Sequence, residues 1–444
     1  MNLALSSYTH LLKVDEATYA LLNALWLRVV FLQEPYVSVM QESLKHGQLP
    51  QATPNDIEEK TWELFKDLLK KEMFLDPVED IIHLQKVREE MEQEHISIMY
   101  LILSNNCNLR CEYCYLHELL TPKVQNAPMY MSVETMNKAI DYFADLVNGV
   151  IAHPQIVLYG GEPTLNPNME YLIKLVYEKI LGVNISLVTN GTLITKDLAE
   201  ILAKYHINVG VSIDGPQKIH DTNRKFHNGR GSFEEALKGY KTLLEKGALA
   251  GISCTITMQN APTLVDTMHW LLDEQGVLGI DFNLLIDEES SEYPEIATKG
   301  LMECYELAKQ RGLPLERVLR RVQPFSEGRL NLHDCGGTGN QIVITTDGRV
   351  GICQGFLNSG DFFFPLEEIK DPNTHPLWAE WRKRSPINID GCHSCPAFGI
   401  CGGGCFYGPY TRHGSIMKLD PVHCTHVLAT LDVILKDLWK KQRG

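Results

Sequence analysis

No apolar run in the chain approaches the ~18 residues that a membrane-spanning helix needs, so no membrane role is expected. The opening MNLALSSYTHLLKVDE lacks the basic flank and apolar block of an export signal, which sets the expectation of a cytoplasmic protein. Basic residues are outnumbered 41 to 56 by acidic ones. The resulting formal charge of −15 has the wrong sign for wrapping a nucleic-acid backbone. Internal repeats and low-complexity tracts do not occur, and the 16 histidines form no HExxH or paired-ligand spacing. Residues 1–95 contain no cysteine.

Elsewhere cysteine is plentiful, with 12 in the chain. In a reducing compartment clustered thiols serve metals more often than disulfides. Ten of the 12 fall into two groups, Cys107 to Cys114 and Cys335 to Cys424. Cys254 and Cys304 stand apart and read as small buried apolar side chains.

A length of 444 residues exceeds what one hydrophobic core usually fills, so several domains are expected. Residues 1–95 begin with YTHLLKV and TYALLNALWLRVVFL, two strand-like runs about a turn at Asp15-Glu16. A helical stretch over 56–75 follows, then a helix from Pro77 to about Glu94. That order predicts a small α+β domain of winged-helix type. Over 96–300 six apolar runs (97–104, 155–160, 185–190, 207–214, 252–258 and 280–286) alternate with amphipathic helical segments. The alternation predicts an α/β fold with a parallel sheet curled into a partial (β/α)6 TIM-like barrel, its chemistry at the carboxyl ends of the strands. Residues 301–334 read as a helical connector. Residues 335–444, irregular and rich in Gly, Pro and Cys, read as a small metal-stapled domain. An amphipathic helix, VLATLDVILKDLWKK, closes it and is expected to dock on the protein.

The first cysteine group, SNNCNLRCEYCY, follows the first barrel strand and spaces Cys107, Cys111 and Cys114 as C-x3-C-x2-C. Three thiolates cannot complete a tetrahedral zinc site alone. They can hold three irons of a [4Fe–4S] cluster and leave the fourth iron open. A partial zinc knuckle is the alternative. With Tyr113 before the last cysteine, the array resembles the signature of the radical S-adenosylmethionine enzymes. The resemblance implies that the open iron chelates S-adenosylmethionine, and that an electron from the cluster releases a 5′-deoxyadenosyl radical that abstracts hydrogen from a substrate. It also implies cofactor-binding roles at the strand ends. Gly160-Gly161-Glu162-Pro163 would let backbone approach the ligand and offer a carboxylate to its ammonium group. Asn190, in Thr189-Asn190-Gly191, offers a donor and an acceptor. Ser212 and Arg224 suit a carboxylate.

In the second group Cys335 is followed by Gly348 and Cys353, then by Cys392, Cys395, Cys401, Cys405 and Cys424. This layout resembles the SPASM extension of radical S-adenosylmethionine enzymes, which implies two auxiliary [4Fe–4S] clusters; a zinc ribbon is the alternative. The interleaved pattern of similar proteins assigns Cys392, Cys395, Cys401 and Cys424 to one cluster. It assigns Cys335, Cys353 and Cys405 to the other, leaving one iron for a non-cysteine ligand or a substrate thiolate.

The core from 98 to about 430 is similar to the anaerobic sulfatase-maturating enzymes. Two features depart from them: Gln354 stands where those enzymes carry a catalytic aspartate, and residues 1–95 form an added domain. The added domain is similar to that of maturases of ribosomally made precursor peptides, where a leader peptide joins a small sheet as an extra strand. The implied partners are such a precursor peptide and an external electron donor of flavodoxin or ferredoxin type. Sulfatase maturation, a small-molecule radical dehydrogenase and a non-catalytic iron–sulfur or zinc protein are the competing readings. No residue identifies itself as the general base.

Overall fold

A computed structural model describes residues 3–116, 129–286 and 290–443. The chain divides into two compact units. One comprises Met1–Gln93, Glu316–Cys335 and Lys383–Gly444, the other Glu94–Leu315 and Gly336–Arg382.

In the first unit β1 (Thr9–Lys13), β2 (Tyr19–Asn23) and β3 (Arg28–Leu32) form an antiparallel sheet in that order. Asp15 shapes the first turn by accepting the N–H groups of Ala17 and Thr18 at 3.0 and 2.8 Å. The expected second strand is two. It breaks where the Asn23 side chain accepts the N–H groups of Leu25 and Trp26 (3.1 and 3.2 Å) and Leu27 takes a left-handed φ of 54°. Helices follow at Tyr36–His46, Glu59–Lys71 and Pro77–Glu92, the first of them unforeseen in the sequence. One sheet face packs Leu21 and Leu32 against Met40, Trp62, Phe65 and Leu69. The other packs Ala20 and Leu22 against Phe398, Ile400 and the closing helix Pro421–Arg443 through Val427, Leu431 and Ile434. The alternation of side chains along β2 lets one strand serve both cores.

In the second unit β4 (Ile98–Ser104), β5 (Gln155–Gly160), β6 (Asn184–Thr189), β7 (Asn208–Ser212), β8 (Leu249–Ile256) and β9 (Ile280–Leu284) run parallel in sequence order. Helices Val133–Val147, Met169–Lys179, Lys196–Lys204, Phe233–Glu245 and Leu264–His269 connect them, two starting on side-chain caps from Ser132 and Thr195. The expected helix over 262–275 continues past His269 as a π-helical turn, Trp270–Glu274. Three strands extend the sheet beyond β4. β10 (Gln341–Ile344) pairs parallel to β4, and β11 (Arg349–Gly351) and β12 (Phe363–Pro365) follow antiparallel. The compact units thus cut across the boundary expected at residue 335: residues 336–382 belong to the barrel sheet, and 383–444 share a core with the amino-terminal sheet. Among the described residues no helix is long and apolar enough to cross a membrane.

Candidate active site

The loop leaving β4 carries Cys107, Cys111 and Cys114 and is tied to the segment after helix Gln217–Asn223. Arg110 N–H donates to Lys225 O at 2.7 Å, and Glu112 N–H to Asn223 O at 2.9 Å. His227 Nε2 lies 2.8 Å from Cys107 O. Burial pushes the Cys107 thiol up to about 12 and Cys111 to about 11, and it raises Cys114 as well. Cys107 also feels the charges of Glu162, Cys111 and Cys114. Such thiols ionise at neutral pH only when a cation replaces their protons. Leu109 N–H (3.4 Å) and Asn190 Nδ2 (3.9 Å) donate to Cys107 Sγ, the kind of contact that tunes a thiolate-held metal. None of the 12 cysteines is in a disulfide. Among the described residues no three Cys, His, Asp or Glu side chains gather tightly enough for a single ion. Thiols at the corners of a cube of irons stand further apart than ligands of one zinc ion, whose Zn–S distance is ~2.3 Å. By its chemistry, a set of three thiol donors fits three corners of an iron–sulfur cluster and leaves the fourth iron open.

At the end of β5, Gly160 has φ 141°, and a Cβ there would sit 2.5 Å from Ser104 O. Only glycine allows this approach, which lets Gly161 N–H reach Ser104 O at 2.8 Å and Glu162 N–H reach Asn106 O at 2.8 Å. Glu162, 1% exposed, is held by four donors. Thr164 N (3.1 Å), Thr164 Oγ1 (2.5 Å) and Thr189 Oγ1 (2.7 Å) converge on Oε1, and Asn190 N–H (2.8 Å) reaches Oε2. Burial raises its pKa, and those hydrogen bonds oppose the rise. Oε2 keeps capacity for a further donor. Asn190 donates to Asn108 Oδ1 at 2.8 Å and accepts from Thr192, which joins β6 to the cysteine loop.

Ser212 ends β7 in register with Ser253 and is buried. Arg224 is committed to Asp214: Nε lies 2.9 Å from Oδ2 and Nη2 3.2 Å from Oδ1. Asp214, 0% exposed, also accepts Tyr113 OH at 2.6 Å and Thr255 N–H at 3.1 Å, so all its lone pairs are used. Burial alone would lower the guanidinium pKa, and Asp214 outweighs it. The guanidinium lies 5.3 Å from the Tyr113 ring centroid, and its charge lowers the pKa of Cys111 against the effect of burial. Below this pair, Asp214 N–H donates to His220 Nδ1 (3.4 Å). His220 Nε2 meets Ser232 Oγ (3.0 Å), which donates to Arg224 O (2.9 Å). Burial, helped by Arg224, brings His220 down to about 4, so it is neutral.

The structure thus brings Tyr113, Arg224 and Cys111 together, and separately Glu162, Asn190 and Cys107. Sequence reasoning missed Asp214. Its signal was the Ser212-Ile213-Asp214-Gly215 strand end, where an acid ten residues before a buried arginine is an ion-pair candidate.

Of the second cysteine group, Cys353 belongs to the barrel unit, and its Sγ accepts Gly355 N–H at 3.3 Å. Gln354 follows it and accepts from Gln341 Nε2 at 3.3 Å. Cys335, Cys392, Cys395, Cys401, Cys405 and Cys424 belong to the other unit. Burial pushes Cys392 up to about 11 and Cys424 to about 12, and it raises Cys395 and Cys401. Cys392 feels Cys395, Cys401 feels Cys424, and Cys424 feels Cys392 and Cys395, which marks these four as neighbours. Beside them, buried Arg321 donates to Ile400 O (3.1 Å) and Cys401 O (2.7 Å) and pairs with Asp334. The Asp334 carboxyl is held low against its own burial by His423 first and then by Arg321, Arg320 and Arg317, while burial brings His423 down to about 4.

A barrel with three thiols on the loop after its first strand, and a carboxylate, amide and hydroxyl at the next strand ends, defines the class. Residues 101–271 match the Radical SAM superfamily, and the chain carries a radical SAM domain. The relatives include a cyclopropyl synthase and sulfatase-maturating enzymes. The chain is 25% identical over 351 residues to the radical SAM cyclopropyl synthase TigE of Paramaledivibacter caminithermalis, covering 74% of this chain and 72% of that protein. It is 27% identical over 353 residues to a cysteine-type anaerobic sulfatase-maturating enzyme of Clostridium perfringens, covering 73% and 92%. Its fold is similar to that of Streptococcus suis SuiB bound to S-adenosylmethionine, with a TM-score of 0.55 at 18% identity over 94% of this chain and 99% of that one. SuiB has also been solved bound to its precursor peptide SuiA.

Proposed function

We propose that this chain is a peptide maturase that uses radical S-adenosylmethionine chemistry on a ribosomally made precursor peptide. The product would be a cross-link (thioether, carbon–carbon or ether) or another oxidation of the peptide. The observation that carries this reading is the fold likeness to SuiB over 94% of the chain, well beyond the radical SAM domain at 101–271. Cys107, Cys111 and Cys114 would hold a [4Fe–4S] cluster, which when bound would supply the one-electron chemistry that activates S-adenosylmethionine for hydrogen abstraction from the peptide.

The chain's own groups have distinct tasks. Glu162 Oε2, with spare acceptor capacity, receives the ammonium group of the methionine moiety, and Asn190 and Ser212 offer hydrogen bonds at neighbouring strand ends. Tyr113 and Asp214 lock Arg224, whose charge faces Cys111 and suits the carboxylate. Cys335, Cys353, Cys392, Cys395, Cys401, Cys405 and Cys424 would hold two auxiliary clusters, which would supply an acceptor for the electron left on the substrate. A flavodoxin- or ferredoxin-type donor reduces the protein, and the amino-terminal sheet receives the leader peptide as an added strand.

The likeness to the Clostridium perfringens enzyme supports a second reading, conversion of a cysteine or serine to formylglycine. Gln354 weighs against it, since an amide cannot take up a proton at neutral pH. The test is mass spectrometry after the anaerobically reconstituted chain meets S-adenosylmethionine, a reductant and candidate peptides. A precursor peptide that loses hydrogen while 5′-deoxyadenosine accumulates supports maturation. An aldehyde on a sulfatase peptide alone would replace it with the second reading. Zinc at the three barrel thiols, with no deoxyadenosine, would end both.

A further inference from the structure

Arg384 is fully buried, and among the described residues its hydrogen bonds all go to carbonyl oxygens. Nη2 donates to Gly403 O (2.6 Å) and Cys405 O (3.0 Å), Nε to Gly404 O (3.4 Å), and Nη1 to Ile416 O and to Lys418 O (3.0 Å). Among the described residues no carboxylate forms an ion pair with it. A buried guanidinium held only by neutral dipoles is costly unless a negative charge lies near, because its Coulombic partner is otherwise missing. The charges around it belong to Cys405, Asp420, Cys335 and Cys401. In turn its charge acts on Cys392 and Cys424. The fork also has a shape that fits this place. Gly402, Gly403 and Gly404 all have positive φ (74°, 79° and 70°), which curls their carbonyls inward between Cys401 and Cys405. A Cβ on Gly404 would lie 2.7 Å from the His423 ring, so the curl is confined to glycine.

We propose that Arg384 is a positioning residue for the auxiliary iron–sulfur sites. Its fork fixes the Gly403–Cys405 loop against Ile416–Lys418, so that Cys401 and Cys405 face different clusters, and its charge is completed by the anionic clusters and raises their reduction potentials. This rests on the reading that the carboxyl-terminal thiols hold [4Fe–4S] clusters. A nearby fixed cation favours the reduced, more negative cluster, and neutral glutamine removes that field.

The test uses the full chain with Cys107, Cys111 and Cys114 changed to alanine, so that the remaining signals come from the auxiliary sites. Arg384→Gln and Arg384→Lys are made in that background, reconstituted without oxygen, and assayed for iron and sulfide and by EPR during redox titration. In Arg384→Gln the reduced-to-oxidised ratio at fixed potential falls about tenfold for both clusters, ~59 mV for a one-electron couple. Arg384→Lys keeps the charge without the fork. It shifts the ratio less and alters the EPR line shape of both clusters. Full iron content with an unchanged ratio in the glutamine variant overturns the proposal. Should that variant not fold, the lysine variant decides: a spectrum like that of the parent overturns the positioning role. A parent chain without iron would instead defeat the reading underneath.

Discussion

The two thiol-bearing regions balance their charges differently. Around Cys107–Cys114 each buried charge already has a protein partner: Asp214 saturates its acceptors with Arg224, Tyr113 and Thr255, and Glu162 holds four donors. Around Cys392–Cys424, among the described residues Arg384 hydrogen-bonds only carbonyls while feeling the charge of Asp420, and Arg321 divides itself between carbonyls and Asp334. On the function proposed above, a site whose charges are already balanced can stand open for an exchangeable ligand such as S-adenosylmethionine. A site whose cation feels only Asp420 and the surrounding thiols, without an ion pair of its own, would on the reading proposed above gain stability from a group that stays.

The largest effect separates catalysis from structure. Cys111→Ala should abolish 5′-deoxyadenosine formation, to the background without protein, while leaving the urea midpoint nearly unchanged. Removing iron by chelation should loosen amide hydrogen exchange over 383–424 at least ~10-fold more than over β4 to β9, because binding free energy there is folding free energy. Equal loosening in both regions would erase the contrast. Next comes Asp214→Asn, which leaves Arg224 buried without its counter-charge at a cost of about 3–5 kcal/mol, read from denaturant unfolding. A loss below ~1 kcal/mol would show that the barrel's charges are not balanced as described.

A smaller effect depends on pH. His220 is held neutral with its pKa brought down from 6.5 to about 4. Below the unfolded value the denatured chain binds a proton that the native chain refuses. Stability is therefore full above pH ~6.5 and falls by about 3 kcal/mol as pH drops toward ~4. In His220→Gln that portion of the slope should vanish, which unfolding midpoints across the range will show. An identical slope in both proteins would place the titration elsewhere.

How far the sequence disclosed this arrangement differs along the chain. The six barrel strands lie within a few residues of their expected places, because parallel strands buried on both faces are continuous apolar runs ending in polar motifs. β10 escaped notice because QIVI is four residues long, too short for periodicity to distinguish strand from coil, and its partner β4 lies more than two hundred residues away. The break before β3 was hidden because Ala24–Leu27 stays apolar while Asn23 supplies the turn. At the site, the cysteines and strand-end motifs were legible as residue types at fixed spacing. The roles of Asp214 and Arg384 were not, since both depend on which partners a tertiary fold brings to a buried charge.

The smallest effect sharpens the comparison at the edge of the barrel site. Tyr115 and Tyr159 share a hydrogen bond, OH to OH at 2.7 Å, and lie with Cys114 against the small core of Ile102, Leu116 and Val343. If polar groups on this side satisfy one another, removing one hydroxyl should be worse in proportion than removing both. Tyr115→Phe should cost about 1 kcal/mol by withdrawing the partner of Tyr159, and the change of both tyrosines to phenylalanine should cost less than the two single changes summed. A double-mutant cycle from denaturant unfolding measures that coupling. Strict additivity would mean that water already serves the hydroxyls, and that this wall of the barrel site is solvated instead of internally matched.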